Sequence, residues 1–110
     1  MATNFIDQYI KDKYHIKGRI LDQNKKLVAY EINDESFAYV ESGRHFLRLS
    51  LRSEEHLAKL LKEKYDEVLD GYKLNRHKWI SIIVSGQLTN NEILALIDLS
   101  YNLTMQETIN

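Results

Sequence analysis

His45-Phe46-Leu47-Arg48-Leu49-Ser50-Leu51-Arg52 alternates with a period of two. Leu47, Leu49 and Leu51 point one way, and Phe46, Arg48, Ser50 and Arg52 point the other, as successive side chains of a strand do. A strand with one leucine face and one arginine-bearing face has a core side and a solvent side, which suits an antiparallel sheet covered on one face. Two similar segments precede it. Leu27 to Ile32 alternates Val28, Tyr30 and Ile32 against Leu27, Ala29 and Glu31, and Ser36 to Val40 sets Phe37 and Tyr39 against Ala38 and Val40. Asn33-Asp34-Glu35 and Glu41-Ser42-Gly43-Arg44 supply the turns, because Asn, Asp and Gly accept tight backbone geometry. The three segments read as an antiparallel meander.

Downstream, Ser53-Glu54-Glu55 opens a helix with a cap residue and two acids near the positive end of the dipole. Leu57, Leu60, Leu61 and Tyr65 follow at helical spacing. Asp66 to Lys73 has no clear period, and its acids Asp66, Glu67 and Asp70 read as a solvated loop, since a metal needs convergent ligands. Trp79 to Ser85 is β-rich and apolar on both faces, so it belongs inside the sheet or beneath a helix. Thr89-Asn90-Asn91-Glu92 is a capping box. Ile93, Leu94, Leu96, Ile97, Tyr101 and Leu103 then make an apolar final helix, expected to fray from Met105. Upstream, Phe5, Ile6, Tyr9 and Ile10 predict a short helix over about 4–13, with Thr3-Asn4 as its cap. Ile16 to Leu21 reads as a first strand or an extended lead-in, and Asp22-Gln23-Asn24-Lys25-Lys26 as a turn. The expectation is one α+β domain over 1–110, an antiparallel sheet with helices packed on one face, its sheet and helices filling about 16–104.

Composition excludes several function classes. The 110 residues suit one core, and 44% hydrophobic with 28% charged residues is ordinary for a globular domain. There is no cysteine, which removes disulfides, thiolate nucleophiles and cysteine-bound zinc. No signal-peptide pattern or membrane-length apolar run is visible, so a cytoplasmic protein without a membrane role is expected. The net charge of −1 gives no general pull toward polyanions. Its distribution is uneven: all 15 Lys and Arg lie at or before Lys78, and only Glu92, Asp98 and Glu107 carry charge beyond it.

The strongest candidate surface is Leu74-Asn75-Arg76-His77-Lys78-Trp79, where a basic, polar hexapeptide opens onto Ile80-Ser81-Ile82-Ile83-Val84. No acidic residue lies between Gly71 and Gln87. Lys73, Arg76, His77 and Lys78 form a local positive cluster of the kind phosphates contact, and Asn75 can bond a phosphate or a base edge. Arg44, Arg48 and Arg52 add a second cluster if the sheet brings them near; otherwise they belong to a solvated face. Trp79 reads as a packing anchor with its N–H bonded at the edge, with base stacking as the alternative.

Catalysis has little support. His15, His45, His56 and His77 lack metal-ligand spacing, and there is no phosphate loop or serine elbow. Ser100-Tyr101 lies on an apolar helix and reads as packing with a bonded hydroxyl. No catalytic residue, metal ligand or cofactor is assigned.

The order of these segments resembles the MmcQ/YjbR family from about Leu27 to Leu103. Ser36-Phe37-Ala38 stands where that family has Lys-Phe-Ala at a strand start. Leu49-Ser50-Leu51-Arg52 before Ser53-Glu54-Glu55 resembles its Leu-Ser-Leu-Lys strand end and acidic helix start. Gly71-Tyr72-Lys73-Leu74-Asn75-Arg76 and Trp79 are similar to its Gly-Tyr-His-Met-Asn-Lys stretch and tryptophan. Ser85-Gly86-Gln87-Leu88 and Asp98-Leu99-Ser100-Tyr101 match its glycine turn and terminal Ser-Tyr motif. Two departures stand out: Lys78 takes the place of a histidine before the tryptophan, and the strand lysine is missing. The resemblance implies a CyaY-like fold and a proposed DNA-binding role, and the absence of a catalytic motif in the residues adds the expectation of a non-enzymatic protein. The alternative partner is another protein or a small ligand on an aromatic sheet face carrying Tyr30, Tyr39 and Tyr72, since tyrosine combines contact area with a polar tip.

Overall fold

The computed structural model describes residues 2–43, 45–71 and 78–109, with side chains described between Phe5 and Thr108. The elements are α1 (Ala2–Tyr14), β1 (Arg19–Asp22), β2 (Leu27–Ile32), β3 (Glu35–Glu41), β4 (Leu47–Arg52), α2 (Glu55–Lys64), β5 (Val68–Asp70), β6 (Trp79–Val84) and α3 (Asn90–Ile109). The strands form one sheet in the order β1-β2-β3-β4-β6-β5, with every neighbouring pair antiparallel. The α+β expectation therefore holds.

Register explains the layering. Val28, Val40, Leu49, Ile82 and Val68 stand opposite one another across five strands. Directly opposed residues share a face, and this row packs in the same cluster as Ile6 and Ile10 of α1, Ala58 of α2, and Ile93 and Ile97 of α3. All three helices thus cover one face. The neighbouring row, Ala29, Tyr39, Ser50, Ser81 and Leu69, lies on the other, helix-free face. Leu47, Leu49 and Leu51 are 5%, 0% and 0% exposed, so the leucine face of β4 is the core side as its alternation predicts.

The β2–β3 hairpin turns at Asn33 and Asp34, whose φ values are 53° and 65°. Two central residues of positive φ match the right-handed strand twist, and Asn and Asp tolerate that region best after Gly. The Phe37/Tyr39 face, however, does not hold. Tyr30 pairs with Ala38 but Glu31 pairs with Ser36, which leaves Phe37 as an extra residue in β3. The bulge turns Phe37 into the core beside Tyr14 and Tyr101, while Tyr39 stays on the helix-free face.

Helix boundaries differ from expectation for physical reasons. α1 starts before Thr3-Asn4 instead of after them. A 13-residue helix is marginal alone. Ile6 and Ile10 are both 0% exposed, and burying two such side chains stabilises the docked helix by roughly 3–6 kcal/mol. His15, at φ 59°, ends it in the left-handed region and donates its N–H to the Lys11 carbonyl at 2.9 Å. At α2 the cap position falls on Glu54 with no side-chain cap bond, and the Ser53 hydroxyl instead donates to the Glu54 carbonyl at 3.1 Å. α3 does not fray at Met105; it runs to Ile109, and Asn33 donates its amide to Thr108 Oγ1 at 2.9 Å, tying the last turn to the β2–β3 hairpin. Val68–Asp70, expected as loop, is an edge strand on β6.

Candidate nucleic-acid interface

Lys73, Asn75, Arg76, His77 and Arg44 lie outside the described residues, as does Tyr72. The flanks of the basic hexapeptide are described. β5 ends at Asp70, which pairs with Ile80, and exposed Lys78 directly precedes β6. The Ser53 N–H donates to the Lys78 carbonyl at 2.7 Å, which fixes the entry to β6 against the start of α2.

Arg52 stands opposite Trp79 in the β4–β6 register, so Lys78, Trp79 and Arg52 meet at one end of the sheet. The Arg52 guanidinium carbon lies 5.1 Å from the Trp79 ring centroid, and the Tyr39 ring lies 5.4 Å from it on the same face. Trp79 is only 7% exposed, which makes it a packing anchor. Arg52 is more engaged than a solvated face would make it. Its Nε donates to the Ser36 carbonyl at 2.8 Å, and its two terminal nitrogens reach Glu107 and Glu35, each at 3.1 Å. With the side chain 17% exposed and two carboxylates on its fork, Arg52 positions Trp79 and the hairpin more than it offers charge. Arg48, half-buried between Glu41 and Ile83 in the register, shares the helix-free face about 13 Å further along β4.

The helix-free face holds one feature that alternation alone hides. The Ser50 and Ser81 hydroxyls lie 2.8 Å apart and buried, between Tyr39 and Leu69 in the cross-strand row. Tyr30 does not join this face: it is 3% exposed on the core side, its hydroxyl donating to Asp7 at 2.8 Å. Of the aromatic face, Tyr39 alone among the described tyrosines named for it remains.

Ser100 is the functional-looking residue with a structural task. Its hydroxyl donates to the Phe37 carbonyl at 2.5 Å and accepts the Arg52 N–H at 2.9 Å. Phe37 and Arg52 would come next after the Ala38–Leu51 pair, so this side chain of α3 replaces one rung of the β3–β4 ladder. Its neighbour Tyr101 stacks on Tyr14 with centroids 3.8 Å apart. Asp98, one turn earlier, accepts the Tyr9 hydroxyl at 2.8 Å, the Lys13 ammonium at 2.9 Å and the Tyr14 hydroxyl. Burial works against the Asp98 charge, but the bonds from Tyr14, Lys13 and Tyr9 outweigh it and hold the carboxyl below its ordinary range. Burial, then the bond to Asp98, raises the Tyr14 hydroxyl well above the usual phenol. Together these groups clamp α1 to α3.

The acidic group after α2 is also structural. Asp70 pairs with Lys62 at 2.7 Å, and Glu67 accepts the Ser85 hydroxyl while its N–H donates to Gln87 Oε1 at 2.9 Å. Among the described residues no three His, Asp or Glu side chains gather as metal ligands would, and no helix is long and apolar enough to cross a membrane. On the helix side, a groove of about 190 Å3 lies between Leu51, Leu57, Leu96 and Leu103, rimmed by Arg52 and Gln106.

The fold and chain are similar to known proteins. The crystal structure of a Pseudomonas syringae protein superposes with a TM-score of 0.82 at 21% identity, covering 94% of this chain and 99% of that one. A Deinococcus radiodurans protein of domain family DUF419 superposes with a TM-score of 0.85 at 17% identity, covering 94% of this chain and 78% of that one. At such identities the likeness concerns the fold. In sequence, the chain is 29% identical over 76 residues to the uncharacterised protein YjbR of Escherichia coli K12, a match spanning 69% of this chain and 64% of that relative. The match to the YjbR family model runs over residues 12–103, from the end of α1 through the Ser100-Tyr101 pair, and the chain belongs to the YjbR family.

Proposed function

We propose that this chain is a non-enzymatic, cytoplasmic DNA-binding domain that takes the phosphate backbone at the Lys78 end of the helix-free sheet face. The observation that carries this reading is the cation-rich segment entering β6. It holds Lys73, Arg76, His77 and Lys78 with no acid from Gly71 to Gln87, and its last member is fixed against α2 through the Ser53–Lys78 bond. In this reading Lys78 and Arg48 meet phosphates, Asn75 meets phosphate or a base edge, and Arg52 and Trp79 hold the platform. Arg44, which precedes β4 in the sequence, is a further candidate cation.

Each phosphate neutralised on duplex DNA steepens the fall of log K with log salt by about 0.9. Fluorescence anisotropy with labelled duplex and single-stranded DNA, at low and near-physiological salt, therefore tests the proposal. The Arg76→Ala/Lys78→Ala double variant is expected to lose most of the binding and to flatten the salt slope by about 1.8. No binding by the wild type at low salt would sink it. One observation favours a protein partner instead: Phe46 and Leu69 are 50% and 40% exposed, and Leu69 shares the helix-free face with Tyr39. Such an interface would be largely insensitive to salt.

A further inference from the structure

At the other edge of the sheet, on its helix side, a cavity of about 260 Å3 opens where α1 meets β1 and β2. Asp7, Lys11, Lys17, Lys26, Tyr30 and Ser42 line it. Asp7 is satisfied from both sides, accepting the Tyr30 hydroxyl at 2.8 Å and pairing with Lys11 at 3.1 Å. That pair is neutral overall. Lys17 and Lys26 make no side-chain hydrogen bond or ion pair among the described residues, so the cavity carries two unneutralised positive charges.

The lysines are also placed by the backbone. Gly18, beside Lys17, lies so close to β2 that a Cβ there would come within 2.4 Å of Val28 Cγ1. Lys26 closes the β1–β2 turn at φ 51°, and its carbonyl accepts the Ser42 N–H at 3.3 Å.

We infer that this cavity binds the phosphate monoester of a small metabolite, with Lys17 and Lys26 as its two cations. A phosphate monoester carries about −1.5 to −2 at neutral pH and matches the two free charges. Pockets for drug-sized ligands run from about 300 Å3 upward, so this hollow has room for a compact sugar or glycerol phosphate. A phosphodiester of DNA carries one charge and has no protruding dianion, which separates this site from the proposed DNA face in chemistry as well as in place.

The test is a 1H–15N NMR titration of the full chain at pH 7.5 with inorganic phosphate, glycerol 3-phosphate and dimethyl phosphate at constant ionic strength. Saturable shifts are expected at the amides of Gly18, Val28 and Ser42, with dimethyl phosphate several-fold weaker. Lys17→Ala/Lys26→Ala should weaken glycerol 3-phosphate about tenfold, while leaving the thermal midpoint unchanged because both side chains are exposed. Lys17→Glu alone should weaken it at least as much. The inference is overturned by non-saturating shifts, by equal response to dimethyl phosphate, or by unchanged affinity in the folded variants.

Discussion

Replacing Ser100 by alanine removes one oxygen that serves two strands. The Phe37 carbonyl loses its 2.5 Å donor, and the Arg52 N–H loses its 2.9 Å acceptor. Phe37 and Ser100 are both 0% exposed, so water does not replace the lost donor. Each buried backbone group left unpaired costs about 1–3 kcal/mol; with the Arg52 N–H only partly buried, the total expected is about 2–4 kcal/mol. For a domain of this size that corresponds to a fall of roughly 10–15 °C in Tm. Urea denaturation followed by circular dichroism and by Trp79 fluorescence measures it directly. Thr104→Val is the matched control. It removes a hydroxyl that only bonds back to the Ser100 carbonyl at 2.9 Å within α3, keeps the side-chain shape, and should cost about 1 kcal/mol or less. If Ser100→Ala costs no more than Thr104→Val, the strands close on each other unaided and the bridging role is refuted.

Other perturbations have equally definite outcomes. Thr89→Ala should cost about 1 kcal/mol, because the Thr89 hydroxyl accepts the Glu92 N–H at 3.1 Å while Glu92 accepts the Thr89 N–H at 2.8 Å; a change below 0.3 kcal/mol in urea melts would contradict the capping box. The Asp98 carboxyl is held below its ordinary value, so its contribution is present above the unfolded value near pH 4 and is lost as pH falls through the folded one; Asp98→Asn should lose this acid dependence in melts from pH 7 to pH 2. Burial first, then hydrogen bonds to Asp98 and Asp7, raises the Tyr14 and Tyr30 hydroxyls, so stability should fall as pH climbs above about 10, and less steeply in Tyr30→Phe. Arg52→Ala should cost about 1–3 kcal/mol and open Trp79 to acrylamide quenching; unchanged quenching would mean that the guanidinium does not cover the ring.

What was legible in the chain depended on how local its cause is. The β4 alternation, the Asn33-Asp34 turn and the Thr89/Glu92 box are set by neighbours within a few residues, and each stands where its pattern predicts. The bulge at Phe37 is set by Tyr14 and Tyr101, which reach it only in the folded chain. The length of α3 depends on Asn33, 75 residues before Thr108. Val68–Asp70 is too short to display a period, and its pairing with β6 decides it. In the candidate site, Trp79 as an anchor followed from its position at the mouth of an apolar strand. Arg52 misled, because its alternation marks it as outward while its partners Glu35 and Glu107 come from β3 and α3. The Lys17–Lys26 cavity had no local signal, since three elements assemble it.

The most direct test of the account is where DNA touches the protein. A 1H–15N NMR titration with a short duplex at low salt is expected to shift the amides of Arg48, Ser50, Lys78 and Ser81, on or beside the helix-free face, and to leave Leu57, Leu96 and Leu103 on the helix side unmoved. Shifts confined to the helix side, or none at all, would contradict the assignment of that face to DNA.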